Sequence, residues 1–186
     1  DPSSVQQDAP SYASDLDGNI KGLRVAVPRP FLEGTDSAVK EAFDAALKTL
    51  AEAGCVIEDL DIPELSYAAM TSMITSAAES AGINRRWFRE RHQDFVPHVA
   101  RGLAFGMTIT ASEYLTVQRA RHRIRQALRE AYEKIDLIVS PTTPRVAPPI
   151  SEGVKGNGDD TRHASYNHSN LLRFPSMLGL PGCSVP

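Results

Sequence analysis

The chain is poor in the features that mark an unusual solvent or scaffold. It has two cysteines, Cys55 and Cys183, with no Cys-x-x-Cys spacing. They make no disulfide framework, and a reduced, cytoplasmic setting suits them. No apolar run approaches the roughly 20 residues that cross a bilayer, and no stretch reads as a signal peptide. There is no basic excess either. Lys and Arg total 20 against 23 Asp and Glu, for a net charge of −3. That excludes an electrostatic platform for nucleic acid. Also missing are a Walker loop, a Gly-x-Gly-x-x-Gly turn, an EF-hand loop, a His-Glu-x-x-His pair and a Gly-x-Ser-x-Gly elbow.

What is present reads as a folded α/β protein. The 186 residues are 41% hydrophobic and 23% charged, outside the disordered range. That length suits one domain or part of a larger one. The first residue is Asp1, and the last segment, "LPGCSVP", stops as an apolar stretch begins. The expectation is the C-terminal-side portion of a single domain over residues 1–186, truncated at both ends. Residues 1–19 are polar and turn-rich and read as a loop.

"LRVAVP" is short, β-branched and closed by Pro28, which reads as a buried strand. Asp36 suits an N-cap, and Val39, Phe43, Ala46, Leu47 and Leu50 recur at helical spacing up to a C-cap at Gly54. "CVIEDLDIP" is the next strand. Strand, helix and strand with short joints predict a βαβ unit with parallel strands. Beyond Pro63 a long helical pattern sets Met70, Met73, Ile74, Ala77, Ala78 and Ala81 on one face. Close packing explains that face, and so does the wall of a substrate channel. A second helix carries Val117, Ala120, Ile124, Ala127, Leu128, Ala131 and Ile135 on one side. "DLIVSP" then reads as a strand that runs into prolines 141, 144, 148 and 149.

Few residues announce chemistry. Arg119, Arg121, Arg123, Arg125 and Arg129 read as a solvated helix face, with Glu130 and Glu133 as partners. His163, His168, Asp159 and Asp160 lack the spacing of a metal site and read as a polar loop, as do Ser165 and Ser169. Ser140, Thr142 and Thr143 stand at the carboxyl end of a strand, where open α/β sheets bind ligands. Turn chemistry accounts for the same hydroxyls.

Several segments, in consistent order, resemble the amidase signature family of serine amidohydrolases. "IKGLRVAVPRPF" resembles the stretch after that family's nucleophile region. "DLIVSPTTPRVAP" resembles its Asp-x-hydrophobic-hydrophobic-x-Pro-Thr-x-Pro segment, followed by Ala-Pro. "FPSMLGLPGCSVP" resembles its Asn-x-x-Gly-x-Pro-x-x-x-x-Pro segment, with Ser176 in place of Asn. The resemblance implies an α/β/α sandwich with a mixed central sheet covered by helices. It also implies a carboxylic amide hydrolase acting on C–N bonds other than peptide bonds through an acyl-enzyme, without metal or cofactor.

The family's Ser–cis-Ser–Lys triad needs a Gly-Gly-Ser-Ser-Gly-Gly motif and an upstream Lys, and this chain has neither. Ser3 and Ser4 lack the glycine frame, so no catalytic residue is assigned. The chain is instead expected to supply pocket walls, with Thr142, Thr143 and Ser176 as candidates. "ESAGINRRWFRER" resembles the place where the glutaminase-type chain of the amidotransferases carries an Arg for an amino-acid carboxylate. That makes Arg91 and then Arg86 candidates, while Trp87 and Phe88 point to a more apolar substrate. The implied partner is a small amide, with neither nucleic acid nor membrane, and a homo-oligomer is compatible with it. Two alternatives remain: the glutaminase-type A subunit of a tRNA-dependent amidotransferase, and a non-catalytic binding module of the same fold.

Overall fold

The structure is a computed structural model that describes residues 6–8, 10–147 and 174–185. Strand β1 (Arg24–Val27) is central. Helix α1 (Ser37–Glu52) follows it and leads to β2 (Val56–Asp59). The two strands are parallel, with Arg24 level with Val56. Asp36 occupies the N-cap position of α1, as its sequence position predicts, but its side chain makes no capping hydrogen bond. The helix ends at Ala53, and Gly54 makes the turn at φ +96°, which a residue with a Cβ rarely adopts.

The third strand, β3 (Leu137–Ile138), pairs parallel to the other edge of β1. The described sheet is therefore small and parallel, in the order β2-β1-β3, within an α/β architecture that is mostly helical. Val25, Ala26 and Val27 are at most 1% exposed, although strand side chains alternate between faces. Both faces of β1 are thus covered, as a parallel sheet requires. Ala26 faces a core of Phe31, Leu65, Ile124, Leu128 and Phe174.

An ion pair fastens β3 to β1. The Arg24 Nη2 donates to Asp136 Oδ1 at 2.8 Å, its Nε to Oδ2 at 3.1 Å, and its backbone N–H to Oδ2 at 2.8 Å. Asp136 returns a backbone N–H to the Arg24 carbonyl at 2.9 Å. These hydrogen bonds from the Arg24 side chain and backbone, with its charge, lower the Asp136 pKa from 3.8 to about 2. A carboxyl depressed in the fold stabilises it fully above the unfolded pKa and loses that effect as pH falls through the folded one. Asp136→Asn should therefore lower Tm at neutral pH, and the gap from wild type should close as pH falls from 3.8 to about 2. Melts at stepped pH check this; a gap that stays constant would remove Asp136 as its source.

Helix α2 (Ala68–Glu90) lies against α3 (Pro97–Thr108) and also against α4 (Ala111–Ala131). Thr110 starts α4 with a capping box: it accepts from the Glu113 N–H, and its own N–H donates to Glu113 Oε2 at 2.8 Å. The α4 face expected from its periodicity is the one that packs, with Ile124 and Leu128 buried, and Ile135, just past the helix, buried as well. The α2 face differs from expectation. Met70 and Met73 are exposed, while Thr71, Ser72 and Thr75 are buried beside Ala68, Ala69 and Ala81. A helix flanked by two others favours small side chains on its packed surface, and hydroxyls fit where a partner can bond them. The helices pass close at Gly106 of α3, where an added Cβ would stand 2.1 Å from the Ala77 carbonyl oxygen of α2.

Candidate functional site

A polar ladder joins α2 to α4. Tyr114 Oη donates to Glu79 Oε1 at 3.0 Å, and Gln118 Nε2 donates to Thr75 Oγ1 at 3.2 Å. As α4 advances, its partners on α2 recede, so the helices run antiparallel. Burial raises the Tyr114 pKa, the Glu79 carboxylate raises it further, and the Arg121 charge opposes both. Tyr114 therefore stays a neutral hydrogen-bond donor at physiological pH.

The next step of the ladder is Arg121. Its Nε donates to the Met177 carbonyl at 2.6 Å, on a helical turn over 174–178. That turn is anchored by Phe174, which is 4% exposed and meets Phe31 edge to face, with centroids 5.9 Å apart. Phe31 stands four residues past the end of β1, so the turn's position is tied to the sheet. Between α2, α4 and the turn lies a cleft of about 390 Å³. Four hydroxyls line it from α2, on Ser72, Thr75, Ser76 and Ser80. Glu79 and Arg121 supply its charges, and Ser176 and Met177 its third wall.

Of the six expected pocket residues, the structure brings Ser176 alone to this cleft. Arg86 is exposed and donates from Nε to Glu90 Oε1 at 3.1 Å. Arg91 is exposed and paired with Asp94. Trp87 is 62% exposed. Its neighbour Phe88 packs edge to face on Phe95. Thr142 and Thr143 lie in the turn after β3, away from the cleft. Thr142 Oγ1 is 2.8 Å from Ser184 Oγ, and Thr143 Oγ1 donates to the Arg145 carbonyl at 2.9 Å. The prolines fix that turn: Pro141 and Pro144 are buried, and the Pro144 carbonyl accepts the Asp36 N–H at 2.9 Å. His163, His168, Asp159, Asp160, Ser165 and Ser169 fall outside the described residues.

Arg121 departs from the solvated face expected for it. Residues two apart on a helix point to nearly opposite sides, so four arginines at 119, 121, 123 and 125 cannot share one face. The usable signal was its spacing of three and seven to buried Ile124 and Leu128.

The family model described as Amidase matches residues 1–186. The chain belongs to the amidase signature family. An amidase of Pseudomonas putida is 30% identical over 188 residues, covering 100% of this chain and 40% of that protein. The A subunit of the Bacillus velezensis glutamyl-tRNA(Gln) amidotransferase is 30% identical over 212 residues, again with the whole chain and 42% of the relative. A solved structure described as a vestigial protein complex, bearing on the origins of an s-triazine catabolic enzyme, superposes at a TM-score of 0.75. It is 25% identical and covers 96% of this chain and 39% of that one. A crystal structure of an amidase shares the fold at a TM-score of 0.70 and 23% identity, over 90% of this chain and 40% of its own. The chain thus spans about two fifths of the amidase-family relatives it matches. Among the described residues no helix is long and apolar enough to cross a membrane.

Proposed function

We propose that this chain forms the substrate-cleft portion of a cytoplasmic amidase, which hydrolyses carboxylic amides at C–N bonds other than peptide bonds. One observation carries the reading: in a chain matched over residues 1–186, α2, α4 and the 174–178 turn converge on one polar cleft. The chemistry is acyl transfer on a serine. The serine oxygen attacks the amide carbon, the C–N bond breaks, ammonia or an amine leaves with a proton, and water frees the acid. The triad lies in a part of the protein outside these 186 residues. This chain holds the substrate, with Ser176 on the cleft wall. Thr142 and Thr143 brace the turn after β3, and Arg86 and Trp87 stand in the last turns of α2, with Arg91 as its C-cap.

Incubating the whole protein with simple amides should release ammonia and acid in equal amounts. Added hydroxylamine should divert the acyl group to a hydroxamate. Neither product from any amide would rule the enzyme reading out. A second reading, the glutaminase chain of an amidotransferase, is favoured by the 30% identity to the Bacillus velezensis protein. It predicts glutamine as the preferred ammonia donor and activity that rises with partner subunits. A non-catalytic module of the same fold would bind amides without releasing ammonia.

A further inference from the structure

The chain's charge is divided along its length. Residues 1–64 hold 13 of the 23 acids and 5 of the 20 bases, while residues 65–147 hold 12 bases and 7 acids. The βαβ unit is therefore the acidic part of the fold, and the helical layer is the basic part. On α4 the bases gather on one side. Arg119, His122, Arg123 and Arg129 are all exposed and fall at helical spacing, opposite buried Ile124 and Leu128. The strip runs about 15 Å along the helix. The sequence offers Glu130 and Glu133 as its partners, yet among the described residues neither forms an ion pair with these arginines.

Acids of the opposite sign lie next door. Strand β2 is an edge of the described sheet, and it and the chain beyond expose Glu58 and Asp61, while Asp59 is held by Arg29. A short helical turn, Pro63–Tyr67, follows and packs against α4. The arginine strip and the acidic segment are thus neighbours. Adjacent patches of opposite sign suit a two-fold contact, in which each copy's strip faces the other's acids. An apolar residue accompanies each patch. Leu115 continues the strip one turn back and is 53% exposed, and Tyr67 ends the acidic segment and is 63% exposed. Such anchors supply affinity at an interface, and the charges fix its register. A nucleic acid fits the strip less well, because the acidic half would repel it.

We propose that α4 and the segment from β2 to Tyr67 form an interface between two copies of this chain, with the α4 arginines of one copy against Glu58 and Asp61 of the other. The inference stands on charge and placement and does not depend on the amidase reading.

The test is sedimentation equilibrium of the whole protein in low and high salt. Wild type should be a dimer in low salt, and high salt should weaken it at least tenfold. Arg119→Glu with Arg123→Glu should sediment as a monomer, and so should Glu58→Lys with Asp61→Lys, because each sets like charges face to face. Mixing the two variants should bring the dimer back, since opposite signs then meet at both contacts. Tyr67→Ala, which keeps every charge, should weaken the wild-type dimer at least tenfold. A wild-type monomer at every salt and concentration would overturn the proposal, and RNA binding by that monomer through Arg119 and Arg123 would give the strip to nucleic acid instead. Charge-reversed variants that dimerise as wild type does, a mixture that stays monomeric, or an unchanged Tyr67→Ala dimer would also overturn it.

Discussion

Two alanine substitutions four residues apart on α3 should move stability in opposite directions. At Gly102 an added Cβ meets nothing within 4 Å. Gly102→Ala should gain the helix propensity that glycine lacks, about 0.5–1 kcal/mol. Gly106→Ala makes the same gain but drives its methyl into α2. The new atom would stand 2.1 Å from the Ala77 oxygen, 2.7 Å from its carbonyl carbon and 2.8 Å from the Ala81 Cβ. Two of these three atoms are main chain and cannot swing aside. Overpacking of this kind costs roughly 1–3 kcal/mol, occasionally more. With the obstruction rigid, the loss should exceed the gain by about 2 kcal/mol. Urea midpoints of the two variants decide the matter. A Gly106→Ala protein as stable as wild type would mean that α2 and α3 do not touch there.

The largest loss should come from Phe174→Ala. Phe174 is nearly inaccessible in a core that draws on β1, α4 and the 174–178 turn. Removing a buried phenylalanine ring costs about 3–5 kcal/mol, cavity included. The edge-to-face contact with Phe31 adds a coupling of about 0.5–1.5 kcal/mol, measurable in a double-mutant cycle with Phe31→Leu. The effect should also reach the cleft, because the turn holds Ser176 and the Met177 carbonyl that orients Arg121. A Phe174→Ala protein that melts within a degree of wild type would remove this ring as the turn's anchor.

Much of the frame was legible in the sequence. "LRVAVP", the periodic run from Val39 to Leu50, and "CVIEDLDIP" gave a parallel βαβ unit because strand period, helix period and Gly54 all agree locally. The α4 stripe was legible for the same reason. The ordered segments that resemble the amidase signature family pointed to the family that the whole chain then matched. The site was less legible. Hydropathy weights Met70 and Met73 above Thr71, Ser72 and Thr75, yet α2 buries the hydroxyls, since its neighbours leave room for small groups and Gln118 bonds one of them. Arg86 and Arg91 stood out in a run of arginines and aromatics, but Glu90 and Asp94, three or four residues on, engage them.

The order β2-β1-β3 also bears on how the chain reaches its fold. Strand β2 joins β1 across one helix, whereas Arg24 and Asp136 are 112 positions apart. Closing the longer loop costs only about 1 kcal/mol more in chain entropy. Distant pairing is nonetheless slow, so β3 should dock after the βαβ unit and the α2–α3 hairpin have formed. Until it does, Val25, Ala26 and Val27 present an unpaired apolar edge to any neighbouring chain. The Arg24–Asp136 clamp is thus also the latch that ends the protein's most aggregation-exposed interval.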